Sequence, residues 1–127
     1  MTVVVPEDRV KWIEYKGQTI LKVDFSELVK DEGIPLLYRE AELMKEVRGK
    51  VKTLVDVRNG KAGSEYMKHA KKLGREVFSL KTERQAMLGV GATQMVLLRA
   101  YNYFTGAGRY QKVFSSEEEA LEWLVGP

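Results

Sequence analysis

The stretch Val51–Ser64, VKTLVDVRNGKAGS, limits what this chain can become more than any other. An apolar run, Val51–Val57, passes into a polar glycine-containing loop and then into a helix opening at Ser64. The apolar residues of the run do not alternate strictly, because Leu54 falls between the faces of Val51, Val55 and Val57. That pattern predicts a strand covered on both faces, as in parallel sheets. The rest of the chain must then supply flanking strands and covering helices.

The flanking segments follow in a regular order. Residues 1–9 read as an irregular lead-in ending at Pro6–Glu7–Asp8. Val10–Tyr15 and Thr19–Phe25 are β-rich runs around the short turn Lys16–Gly17–Gln18, which predicts an antiparallel hairpin. Ser26–Gly33 is polar and reads as irregular. Pro35 suits the first turn of a helix, where its missing N–H costs nothing. That helix would carry Ile34, Leu37, Tyr38, Ala41, Met44 and Val47 on one side. Arg39, Glu40, Glu42, Lys45 and Glu46 would fill the other side, with Gly49 as a C-terminal cap.

After the central strand, Ser64–Ser79 reads as a second helix with Ser64 as its N-cap. Tyr66, Met67, Ala70, Leu73, Val77 and Phe78 make its apolar stripe, and Lys68, Lys71, Lys72 and Arg75 its outer face. Gln85–Val90 is the next strand and Ala92–Phe104 a third helix, ended by Thr105–Gly106–Ala107–Gly108. Tyr110–Phe114 is the last strand, and Ser116 with Glu119 forms a capping box that opens a short final helix. The expected fold is α/β, a mixed five-stranded sheet with helices packed on it, in the order β-β-α-β-α-β-α-β-α. It forms one domain over residues 10–127, with right-handed parallel crossovers after the hairpin.

Composition removes several chemistries. The 127 residues include no cysteine, so disulfides, thiolate nucleophiles, cysteine zinc sites and iron–sulfur clusters are excluded. Lack of cysteine fits a reducing cytoplasm, the expected location. The opening MTVVVPEDRV has no basic residue ahead of its short apolar run and reads poorly as a signal peptide. The longest strongly apolar stretch, Ala86–Val96, is interrupted by glycines and far short of the roughly 20 residues a membrane span needs. A net charge of +3 permits a polyanionic partner without calling for one. With His69 as the one histidine, a histidine-pair metal site is ruled out, and neither metal nor cofactor is expected. Serine chemistry would want His69 as a base, yet it falls inside the helix about one and a half turns beyond Ser64. An enzyme is therefore not expected.

Four segments together resemble the STAS-like group of small domains. They are the hairpin WIEYKGQTILKVDFSEL, the strand VKTLVDVRNG with its following helix, the turn MLGVGATQMVLLRAYNYFTG and the closing KVFSSEEEALEWL. The group is related to the anti-sigma factor antagonists and is often described together with lipid-carrying domains of the SEC14 type. The likeness is one of element order over nearly the whole chain from Val10, with no catalytic motif. It implies a STAS-like fold and a regulatory or carrier role. In the antagonists a serine just after the central strand, usually within Asp-Ser-Ser-Gly, is phosphorylated by a partner kinase. Here that region reads Asn59–Gly60–Lys61–Ala62–Gly63–Ser64, so Ser64 is the only serine in place and the Asp-Ser-Ser-Gly sequence is absent.

Four features are candidates for function. Ser64 could carry a phosphate against the positive end of the second helix; a plain helix cap explains it as well. In open sheets ligands bind outside the carboxyl ends of parallel strands. That edge would gather Asp56, Arg58, Asn59 and Ser64 with Gly89, Gly91 and Thr93, although GVGAT is neither a dinucleotide fingerprint nor a P-loop. The helix Ala92–Phe104 is apolar on nearly every side, which suits deep burial, a hydrophobic pocket or a homodimer face. The basic stripe of Lys68, Lys71, Lys72 and Arg75 suits an acidic partner or a solvated outer face. No aromatic platform accompanies it, which argues against nucleic acid.

Two functions follow from the sequence. One is a non-enzymatic interaction or regulatory module whose unidentified protein partner meets the loop after the central strand and the basic helix. The other is a carrier or sensor of a small apolar or lipid-like ligand held against Ala92–Phe104.

Overall fold

The computed structural model describes residues 4–127. The start of the predicted lead-in, residues 1–3, lies outside the described residues. The end of that lead-in is not irregular: Pro6–Arg9 winds into a single helical turn, α1. Pro6 supplies the preset φ of a first helical residue, and Glu7 and Asp8 lie at the positive end of the turn.

Strands β1 (Val10–Tyr15) and β2 (Gln18–Asp24) form the predicted antiparallel hairpin, with Trp12 opposite Leu21. Its two turn residues, Lys16 and Gly17, both have positive φ, 49° and 79°. Such a turn follows the right-handed twist of the strands. Helix α2 covers Ile34–Lys45, β4 Val51–Asp56, α3 Ser64–Leu73 and β6 Thr82–Leu88. Helix α5 covers Ala92–Thr105, β7 Gln111–Phe114 and α6 Glu117–Val125. The main sheet has five strands in the order β1-β2-β4-β6-β7, antiparallel in the hairpin and parallel beyond it. The predicted fold class therefore holds.

Between β2 and α2 the segment predicted as irregular holds a short strand, β3 (Val29–Lys30). It pairs in parallel with β5 (Lys61–Ala62), in the loop after the central strand. The pairing satisfies backbone groups that a polar loop would otherwise leave to water.

From β2 to β7 the chain advances in one direction across the sheet, so right-handed crossovers put α2, α3 and α5 on the same face. That face carries the larger core, with Leu21, Val23 and Val55 of the sheet against Leu36, Met44 and Leu73 of the helices. The last helix, α6, follows the final strand and covers the other face. There Ala120, Leu121 and Leu124 meet Ile20, Leu54 and Ala86. Leu54 thus faces one helix layer and Val51 and Val55 the other, which accounts for the central strand's unbroken apolar run. Each large buried side chain contributes about 1.5–3 kcal/mol.

Three local expectations are corrected. The cap of α2 is Glu46, and Gly49, with φ +88°, lies beyond it. The carbonyls there are instead taken by Lys81, whose ammonium donates to Val47 O and, at 2.6 Å, to Gly49 O. The second helix does not stop at Ser79. It widens into π-type winding over Gly74–Phe78 and ends in a short turn, α4 (Ser79–Lys81). Glu40, predicted on the polar side of its helix, is buried at 3% exposure. It lies three residues after Leu37 and four before Met44, which is the spacing of the buried face.

Candidate functional site

The carboxyl edge of the parallel strands brings several predicted residues together. Asp56 ends β4 and is 2% exposed. Its carboxylate accepts from the Arg58 backbone N–H at 3.0 Å and from the guanidinium, with Nη2 at 2.6 Å from Oδ2. Burial pushes this carboxyl up, but the bonds and charge of Arg58 outweigh it, and the carboxyl titrates below its ordinary range. Asp56 and Arg58 are thus partners of each other. The stem of Arg58 lies over Gly89, where φ is +79° and an added Cβ would fall 2.0 Å from Arg58 Cγ.

Asn59, with φ 58°, donates to Glu27 Oε1 at 2.8 Å and ties the loop to the segment between β2 and β3. Gly91 caps α5, and its N–H donates to Gln94 Oε1 at 2.5 Å. Thr93 stands exposed in the first turn of the same helix.

Ser64 is exposed and is the first residue of α3, while Gly63 is the N-cap. This corrects the predicted serine cap. The carboxylate at this helix start is Asp31, from the loop before α2, which accepts from Tyr66 N at 3.2 Å. The positive end of α3 already has an anion beside it. Lys68 and Lys72 lie further along, exposed, with Lys68 paired to Glu65 at 3.1 Å. The guanidinium of Arg75 stands 4.8 Å from the Phe104 ring centroid and the Lys71 ammonium 5.8 Å from it. The outer faces of α3 and α5 therefore form a shallow basic and aromatic groove.

Helix α5 is not a core helix. Its outer face shows Val96 at 67% and Tyr103 at 94% exposure. Its inner face, through Leu97, Leu98 and Tyr101, borders a cavity of about 140 Å³ between the three helices and the sheet. Val55 and Met87 form the cavity's sheet side, and Leu37, Ala70 and Phe78 close it from α2 and the α3 segment. Lys30, Lys61 and Gly60 border it at the β3–β5 pair. Gln94 lies against it too. Its amide donates to Val57 O at 2.5 Å and Gly60 O at 2.7 Å, latching the loop after the central strand to α5.

Glu40 also lines this cavity, and among the described residues its carboxyl has no hydrogen-bond partner. Burial pushes that carboxyl up to about 8. Burial also raises the phenols of Tyr66 and Tyr101, with the nearby Glu40 adding to both. The arrangement suits binding: an apolar chamber of roughly the size that holds a benzene-like molecule, with one uncharged acid inside. Sequence reasoning passed over Glu40, Gln85 and Gln94. The signal for Glu40 was its helical spacing; Gln85 and Gln94 are ordinary polar residues until the fold brings them to one chamber.

No family model and no curated protein matches the sequence. Among solved structures, the chain is similar to an uncharacterised protein of the DUF3478 family with a SpoIIAA-like fold from Shewanella loihica PV-4. The two are 19% identical, with a TM-score of 0.70 over 91% of each chain. The fold is therefore SpoIIAA-like, the STAS-like architecture that the sequence resembles. Among the described residues no helix is long and apolar enough to cross a membrane.

Proposed function

We propose that this chain is a non-enzymatic binding module that holds a small, largely apolar molecule between α2, α3, α5 and the sheet. The observation that carries this reading is the chamber of about 140 Å³ with its apolar lining. The pocket is partly open, with exposed Lys30 and Lys61 at its border, so a ligand that fills it would remove apolar lining from water. Gln94 links the chamber to the loop after the central strand, so an occupant would stiffen that loop as well.

Native mass spectrometry of freshly purified protein, beside its denatured mass, tests the reading. A non-covalent mass lost on denaturation is expected. So is a rise in thermal midpoint with added small aromatic hydrocarbons that disappears when Ala70→Leu fills the chamber. Protein free of adduct and indifferent to such probes would overturn it.

A second reading has its own observation, the exposed basic groove on α3 and α5. Lys68, Lys71, Lys72 and Arg75, with the loop Arg58–Ser64, would meet an acidic face of a protein partner, as a STAS-like regulatory module would use them. Reversing charge with Lys68→Glu and Lys72→Glu should abolish capture of that partner while the chain stays folded. Undiminished affinity in the folded variant would exclude this surface.

A further inference from the structure

Two of the chamber's polar groups, Gln85 and Gln111, lie at one level of the sheet. Thr53 of β4 is opposite Gln85 of β6, which is opposite Gln111 of β7. Val55 and Met87 stand one step closer to the carboxyl ends, where Val57, Gly60, Lys61 and Gln94 border the chamber. The chamber is thus apolar along its sheet side near the loop and polar at its deep end.

At that end a chain of amides has a direction. Asn102 Nδ2 donates to Gln111 Oε1 at 2.9 Å, and Gln111 Nε2 donates to Gln85 Oε1 at 2.8 Å. The acceptor of Gln85 is used, and its Nε2 has no partner among the described residues. Gln85 is 8% exposed and Glu40 3%, and both line the chamber. Buried polar groups are nearly always hydrogen-bonded. Neither Glu40 nor Gln85 has a polar atom sealed away unpartnered, so their free atoms open onto the cavity, where a ligand group can complete them.

The surroundings fix the charge of that group. The titratable groups that face Glu40 are Tyr66 from α3, Tyr101 from α5 and Tyr110 ahead of β7, and burial holds each phenol protonated. No basic side chain bonds Glu40 among the described residues. The cations of the chamber, Lys30 and Lys61, are on the β3–β5 pair instead. A carboxylate would find no counter-charge at the deep end, and a protonated Glu40 is a donor there, as is the Gln85 amide.

Resting on the reading of the chamber as a ligand site, we infer that its ligand is a small apolar molecule ending in an uncharged hydrogen-bond acceptor such as a carbonyl oxygen, held by Glu40 and Gln85 as donors.

Three probes of similar shape test this by NMR titration of the full chain at pH 6.5. They are acetophenone, α-methylstyrene, in which CH2 replaces the carbonyl oxygen, and 1-phenylethylammonium. Acetophenone should bind about tenfold more tightly than α-methylstyrene, the value of one good buried hydrogen bond. Glu40→Gln keeps a donor and should keep the preference. Glu40→Met should reduce it to about twofold while α-methylstyrene still binds, since only the hydrogen bond is removed. At pH 9.5 the wild type should lose the preference and Glu40→Gln should keep it. That comparison decides the matter even if Glu40→Met fails to fold. Equal binding of acetophenone and α-methylstyrene would overturn the inference and leave the apolar chamber standing. Tightest binding of the ammonium would overturn it in favour of Glu40 as a carboxylate. Failure of all three probes would overturn the chamber itself as a ligand site.

Discussion

Arg58 lies across Gly89, so close that a Cβ on the glycine would fall 2.0 Å from Arg58 Cγ. One pair of residues thereby joins the loops that follow β4 and β6. The guanidinium beyond this contact holds the buried carboxylate of Asp56.

Replacing Gly89 by alanine should therefore do two things. The backbone at φ +79° becomes strained, and the Arg58 stem is displaced from Asp56. The expected cost is about 1–3 kcal/mol in urea unfolding. Adding Arg58→Ala should recover part of it, because the collision is gone while the backbone strain remains. Additive losses in the double mutant would show that the two residues do not depend on each other.

The buried carboxyl of Glu40 makes stability depend on pH. Its folded value is about 8 against an ordinary 4.5. Between those values the folded chain keeps a proton that the unfolded chain has lost. Stability therefore falls as pH rises from about 4.5 to about 8 and is level above that. At 1.36 kcal/mol per pKa unit the fall is at most roughly 4 to 5 kcal/mol. Glu40→Gln should remove this slope. Denaturant unfolding of both proteins at pH 5, 7 and 9 checks it, and parallel pH profiles would mean that Glu40 keeps its ordinary value.

Most of the fold was legible because it follows from periodicity. The non-alternating run Val51–Val57 required cover on both faces, and α6 and the α2–α3 layer supply it. The site was less legible. Ser64 looked like a cap because serine favours that position, but Gly63 takes it and Asp31 bonds the first turn of α3 from a distant part of the chain. Likewise the apolar character of Ala92–Phe104 was evident, but its division into an inner face on the chamber and an exposed outer face depends on where α3 lies. Cross-chain contacts of this kind have no local signature. Glu40 had one, its place in the buried spacing of α2, and a carboxylate on an apolar stripe is the kind of local inconsistency that marks a site.

Asp31 supplies the first turn of α3 with an acceptor that its own sequence does not. Asp31→Ala should then destabilise the chain by about 0.5–2 kcal/mol, as loss of a capping side chain does. The loss should appear as faster amide exchange at Tyr66 and its neighbours. Unchanged exchange there would mean that solvent serves the helix start equally well.

Gln94 makes three hydrogen bonds, to Gly91 N, Val57 O and Gly60 O, each at 2.7 Å or less. Among the described residues it is the one side chain that both borders the chamber and bonds the loop after the central strand to α5. Gln94→Leu would preserve the bulk and remove all three bonds. Net hydrogen bonds contribute about 0.5–1.5 kcal/mol each, so a loss of roughly 2–4 kcal/mol is expected, part of it offset where water replaces the amide. The more telling readout is local. Loop residues 57–63 should exchange faster than the core strands by a larger factor than global destabilisation explains, because the latch acts on the loop alone. If the latch also couples the chamber to the loop, a hydrocarbon that fills the chamber will slow exchange at 57–63 in the wild type and not in Gln94→Leu. Equal slowing in both proteins would show that the coupling runs through packing against Val57 and Leu97, which the leucine retains.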